Sequence, residues 1–123
     1  MRRAFGITAA TLGASAVALG AFGAHALQSR LDEAALHIWH TAVEYQFWHA
    51  LALIGVIALA PARATRLWRA SGIAFIAGSA VFCGSLYALA LGAPRWIGAI
   101  TPIGGGALII AWVLLGAAIA IRD

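Results

Sequence analysis

The sequence predicts an all-α fold: an integral membrane four-helix bundle with a short interfacial helix between spans 1 and 2, and both termini cytoplasmic. Three observations point there. The first is composition: of 123 residues, 63% are hydrophobic and 10% charged, with a mean hydropathy of +0.94. A soluble domain of this length leaves too much of its surface exposed to hide that apolar content. The second is length: the stretches 4–26, 42–60, 71–91 and 103–121 each approach the ~20 apolar residues that cross a hydrocarbon core. The third is where the arginines fall. The spans use most of residues 1–123, so the chain is a single transmembrane domain with nothing left over for a soluble one.

The first span carries Gly6, Gly13 and Gly20 at a spacing of seven, with Ala10, Ala14, Ala18, Ala21 and Ala24 between them. Small residues let helix backbones approach closely in lipid, and a period of seven suits left-handed bundle packing. Tight helix packing explains this seam better than a ligand role. Arg2-Arg3 before the apolar run and Ala24-His25-Ala26 after it also outline a secretory signal with a cleavage site. The run is about twice the usual signal core, however, so an uncleaved span is expected.

Residues 28–40 then read as the short interfacial helix. Ser29 and Asp32 have the spacing of a capping box, and Leu31, Ala34, Ala35, Ile38 and Trp39 share one face, with Trp39 as the interface anchor. His37 and His40 lie three residues apart, as metal ligands can. With no third ligand type beside them they read as solvated interfacial histidines.

The second span, 42–60, carries Glu44-Tyr45-Gln46-Phe-Trp-His49 near its start, and Pro61 closes it. A short basic loop through Arg63, Arg66 and Arg69 leads to the third span, and residues 92–102 form a turn-rich connection to the fourth. Thr101 before Pro102 is a good helix start, a hydroxyl at the N-cap and proline at the first helical position. Gly104, Gly105 and Gly106 leave the next turn almost bare.

All eight basic residues are arginines, and six of them (Arg2, Arg3, Arg63, Arg66, Arg69, Arg122) belong to one side of a four-span chain, against Arg30 and Arg95 on the other. The positive-inside rule puts both termini in the cytoplasm. Basic residues at helix ends, with no stripe of stacking aromatics, exclude a nucleic-acid partner. The bilayer is the expected partner, together with other membrane subunits or a second copy. Cys83 is the single cysteine, so neither an intramolecular disulfide nor a cysteine zinc site can form. It reads as a small packing residue.

Glu44 is the residue to explain, because ionisable groups inside bilayer-spanning helices are costly and usually have a partner or a task. At a rise of about 1.5 Å per residue, Glu44 lies roughly 3 Å and His49 roughly 11 Å below the outer boundary of the second span. Ser85 and Tyr87 approach the same level from the third span, Thr101, Gly104 and Gly105 from the fourth, and His25 ends the first. The expectation is one polar cluster in the outer half, made of His25, Glu44, Tyr45, Gln46, His49, Ser85, Tyr87, Thr101, Gly104 and Gly105. Glu44 is expected to pair with His49, Tyr87 or the N-terminal amides of the fourth span. Two readings stand side by side. The cluster ties the helices together by hydrogen bonds, or it handles a ligand or ion.

Four segments carry a resemblance: Gly20-Ala-Phe-Gly-Ala-His25, Glu44-Tyr-Gln-x-x-His49-Ala-Leu, Phe82-x-Gly-Ser-Leu-Tyr87 and Thr101-Pro-Ile-Gly-Gly105. In this order and spacing they resemble the family classed as domain of unknown function 423, the YgdD-like small membrane proteins. Cys83 stands where that pattern often has serine. The resemblance covers nearly the whole chain and implies a four-helix protein of the bacterial inner membrane. It supplies no activity.

The leading functional expectation is a non-enzymatic, multi-pass membrane protein whose polar cluster binds a small ligand, lipid headgroup, quinone or proton. The alternative is a structural or accessory subunit of a larger membrane complex. A haem or metal protein using His25 and His49 ranks behind both, because the two differ in depth. No catalytic set is readable, no metal site is expected, and the sequence names no cofactor.

Overall fold

The structure, a computed structural model, describes residues 1–121. Four long helices, α1 (Arg2–His25), α2 (Glu33–Ala58), α3 (Arg66–Ala90) and α4 (Thr101–Ala120), are joined by turns and by a short 3-10 helix, Arg95–Ala99. No strand occurs among the described residues. Neighbours in sequence are neighbours in space: α1 packs on α2, α2 on α3 and α3 on α4.

The glycine seam of α1 sets the first pairing. Gly6 faces Ile57, Gly13 faces Ala50 and Gly20 faces Val43, so each step of seven along α1 is matched by seven in reverse along α2. Missing side chains on α1 are filled by side chains from α2, and the two helices run antiparallel over their whole shared length. At the end of the seam Gly23 lies under the Trp39 indole, where a Cβ would come within 2.5 Å of the ring. Tilted and edge-on rings join α2 to α3: Trp39 on Tyr87, Tyr45 on Phe82, and His49 on Phe75. The closest approach is between α3 and α4, where Gly104 rests on the backbone of Phe82 and Gly78 on Leu108. Phe5, Leu53, Val56, Trp68, Phe75, Leu108 and Ala111 fill one part of the interior. Leu27, Trp39 and Ala90 fill another.

Indole and hydroxyl groups tie these contacts to backbone carbonyls. Trp39 Nε1 donates to Leu19 O at 2.9 Å, Trp68 Nε1 to Val56 O at 2.7 Å, and Ser71 Oγ to Ala111 O at 3.0 Å. Arg2 Nη2 donates to Pro61 O at 2.7 Å, which brings the N-terminus and the α2–α3 loop to one end of the bundle. That end carries Arg2, Arg3, Arg63, Arg66 and Arg69. Arg122, expected beside them, lies outside the described residues.

Several expectations need correction. Residues 28–40 form no separate interfacial helix: Glu33–His40 are the first turns of α2 itself. Trp39 is therefore no interface anchor. It is 3% exposed, held between α1 and α3 by the Gly23 gap and the Tyr87 ring. Asp32, rather than Ser29, is the N-cap of α2, its carboxylate accepting from Ala35 N at 2.8 Å. Thr101 caps nothing, because the 3-10 helix runs directly into α4 and Ile100 occupies the cap position. By length and composition α1, α3 and the segment 95–120 are apolar enough to cross a membrane. α2, the longest helix, falls outside that set because Glu44, Gln46 and His49 sit near its middle, inside every stretch of it long enough to span.

Gly104→Ala should lower stability by about 1–3 kcal/mol, since the new methyl meets helix backbone that cannot move aside. Gly106→Ala, with nothing within 4 Å of the added carbon, should change it by less than about 0.5 kcal/mol. Thermal unfolding of both variants in detergent checks the contrast.

Candidate functional site

Gln46 is the centre of the buried polar network. It is 5% exposed, in an interior where an unpaired amide is costly. Its Nε2 donates to Leu12 O at 3.0 Å and to Ser15 Oγ at 2.7 Å, both on α1. Its Oε1 accepts from the Tyr87 hydroxyl of α3 at 2.7 Å. One side chain thus joins three helices. Leu12 and Ser15 lie near the middle of α1, so the network reaches mid-bundle and is not confined to the outer half.

His49, one turn further along α2 and 6% exposed, joins α2 to α4. Its Nδ1 lies 2.7 Å from Tyr45 O, and its Nε2 lies 3.3 Å from Trp112 Nε1. A carbonyl only accepts and an indole N–H only donates. The two contacts together place the proton on Nδ1 and leave Nε2 as acceptor. Toward the end of the bundle opposite the arginine-rich one, Ser85 Oγ and Thr101 Oγ1 are 2.6 Å apart and join α3 to α4. Ser79 Oγ is the one buried side-chain oxygen or nitrogen without a partner among the described residues.

The remaining expected members do not join this network. Glu44 is exposed and faces away from Gln46 and His49, with no hydrogen bond or ion pair to any described residue. On a helix, Glu44 stands 200° from Gln46, so the two cannot share an inward face. At the start of α4 the amides of Ile103 and Gly104 are not free for it either: both are bonded to the carbonyl of the cap residue Ile100. Gly104 is buried against α3 and Gly105 lies beside the Phe82 ring, so the bare turn serves close packing. His25, His37 and His40 are exposed. His25 ends α1, while the α1–α2 register puts His49 about 17 Å further along the bundle, so the two cannot ligate one iron. No group of three potential metal ligands converges among the described residues.

Two grooves flank the outward face of α2. One, of about 340 Å³, lies between α2 and α4 and is lined by Tyr45, Trp48, His49, Phe82, Gly105 and Trp112 with two aliphatic residues. The other, of about 300 Å³, lies between α1 and α2, with Glu44, Phe47 and Trp48 over a bed of Ala16, Val17, Gly20 and Ala21. Sequence reasoning missed Ser15, Trp39 and Trp112. Ser15 was legible as one of three hydroxyls in the first span, with Thr8 and Thr11, but nothing in sequence said that it is the one that faces Gln46.

The family pattern described as "Protein of unknown function (DUF423)" matches residues 19–105. The membrane protein YwdK of Bacillus subtilis is 42% identical over 108 residues, 81% of this chain and 82% of the relative. A membrane protein of Haemophilus influenzae is 44% identical over 99 residues, 80% of this chain and 79% of its own. The inner membrane protein YgdD of Escherichia coli is 40% identical over 110 residues, 89% of this chain and 83% of its own. No solved structure matches.

Gln46→Leu removes three hydrogen bonds at once and should destabilise the bundle by about 2 kcal/mol, at ~0.6 kcal/mol per interhelical bond. Ser79→Ala loses no bond and should leave stability unchanged or slightly raised. Unfolding midpoints of the two variants separate a Gln46-centred network from one shared across all buried hydroxyls.

Proposed function

The chain belongs to the DUF423 family of membrane proteins, and on that premise we propose that it is a non-enzymatic, multi-pass protein of the bacterial inner membrane that binds a flat-ringed amphiphile from the bilayer. The site is the groove between α2 and α4. One observation carries this reading. The polar groups of Gln46, His49, Tyr87, Ser85 and Thr101 are taken by one another, by Ser15 and Trp112 or by backbone, whereas the Tyr45 hydroxyl has no partner among the described residues and Tyr45 lines an aromatic groove. Four aromatic rings and the His49 imidazole offer faces and edges that suit a flat ring. The free hydroxyl asks for an acceptor such as a quinone carbonyl. The 3.3 Å contact from Trp112 to His49 is long, so the indole N–H can turn to a second ligand oxygen.

The orientation belongs to the same proposal. α2 runs antiparallel to α1 from Trp39 to Ile57, which supports a fourth span although its composition alone does not. The arginine-rich end, with the N-terminus and the α2–α3 loop, is assigned to the cytoplasm. The opposite end holds Arg30 and Arg95 with Asp32 and Glu33, which balance.

Decylubiquinone titrated into the protein in nanodiscs should quench tryptophan fluorescence saturably, because Trp48 and Trp112 line the groove. Tyr45→Phe should weaken binding about fivefold, the worth of roughly one hydrogen bond. Quenching that stays linear with lipid loading, or is equal in the variant, would remove the proposal. For the orientation, a cysteine placed at Ala64 in a Cys83→Ser background should resist a membrane-impermeant maleimide in intact cells and react after lysis.

A further inference from the structure

We propose that the groove between α1 and α2 is a binding site for a lipophilic organic cation, with Glu44 as its counter-charge. Glu44 is an acid placed along the part of α2 that faces Ala16–Ala21 of α1, about 10 Å from the His25 end. It is exposed, and no described arginine or histidine lies within ion-pairing distance of it. A carboxylate in that setting lacks the partner that intramembrane acids usually have. The buried network cannot supply one, because Gln46 and His49 point to the other side of α2 and are already bonded.

The surroundings define the missing partner. The groove is apolar apart from Glu44, which excludes a strongly hydrated ion that needs several oxygen ligands. Trp48 and Phe47 stand beside Glu44 with 51% and 39% of their surfaces exposed, and aromatic faces attract cations. Ala16, Gly20 and Ala21 keep the α1 wall low, leaving about 300 Å³, the lower end of the range for small-molecule sites. A carboxylate, two rings and an apolar floor together recognise a single positive charge carried on a hydrophobic body, such as a quaternary ammonium or phosphonium ion. α1 contributes no titratable residue between Arg3 and His25. On α2 the ionisable neighbours on the Glu44 face are His40, one turn nearer the end of the bundle, and His37 beyond it. Neither lines the groove, in which Glu44 is the one acid; both lie with Asp32 and Glu33 in a separate depression nearer the start of α2.

The site is distinct from the α2–α4 groove, although Trp48 borders both. Tetraphenylphosphonium and tetraphenylborate, matched in shape and opposite in charge, test it. Equilibrium binding of each is measured on the full chain in nanodiscs of zwitterionic lipid. The parent should bind the phosphonium saturably and the borate at least about tenfold more weakly. Glu44→Gln, an exposed and near-isosteric change, should lose phosphonium affinity at least about tenfold while its unfolding midpoint stays put. Glu44→Asp should retain binding within about threefold, and Tyr45→Phe should leave it unchanged. Equal phosphonium binding by parent and Glu44→Gln would overturn the proposal, as would equal binding of the borate. A loss in Tyr45→Phe as large as in Glu44→Gln would place the cation in the other groove and overturn it too. If the parent is a dimer that Glu44→Gln alone dissociates, a second copy fills the groove and the proposal falls.

Discussion

The hydrogen bonds of Gln46 are the constraint on which the rest of the bundle depends. An amide in a water-poor interior needs partners, and the partners of Gln46 lie on α1 and α3. Satisfying them fixes three helices in rotation and in axial register at once. Apolar packing alone allows small slides, because lipid tails solvate leucine and alanine as well as a neighbouring helix does. A polar tie has one correct register. His49 then extends the same logic to α4 through Trp112, and Ser85 with Thr101 repeats it at the end of the bundle.

Small residues make these ties reachable. Gly6, Gly13 and Gly20 bring α2 close enough to α1 for a short glutamine side chain to reach the Leu12 carbonyl and Ser15. Gly78 and Gly104 do the same between α3 and α4, bringing Ser71 within 3.0 Å of the Ala111 carbonyl. Close backbone approach and polar pairing are therefore one device. The price is that most interior polar groups are committed to structure, whereas Glu44 and the Tyr45 hydroxyl on the outward face of α2 are uncommitted.

Adjacent residues on α2 consequently have different roles. Glu44, Tyr45 and Gln46 follow one another in sequence, yet each turn of 100° sends one to the α1 groove, one to the α4 groove and one to the centre. The sequence alone marks this triplet as the place where polar groups concentrate in an apolar span. It groups the three into one cluster because depth can be counted along a helix, whereas facing depends on where the neighbours stand.

Composition, span length and the heptad of glycines determined an all-helical membrane bundle, and the heptad fell on the α1–α2 seam because small residues have no other use at that spacing in lipid. The family was legible too, in motifs of which Gln46, His49, Ser85, Tyr87 and Thr101 turn out to join helices while His25 and Glu44 stay exposed. Tertiary structure alone decided that residues 33–40 extend α2 and that Trp39 is buried, since a tryptophan near a span end reads as an interface anchor until a Gly23 gap is known to receive it. It also decided that the Ile103 and Gly104 amides of α4 are already bonded and that Glu44 faces outward. Helical periodicity gives angles between residues of one helix, but the zero of that angle is set by the packing of all four.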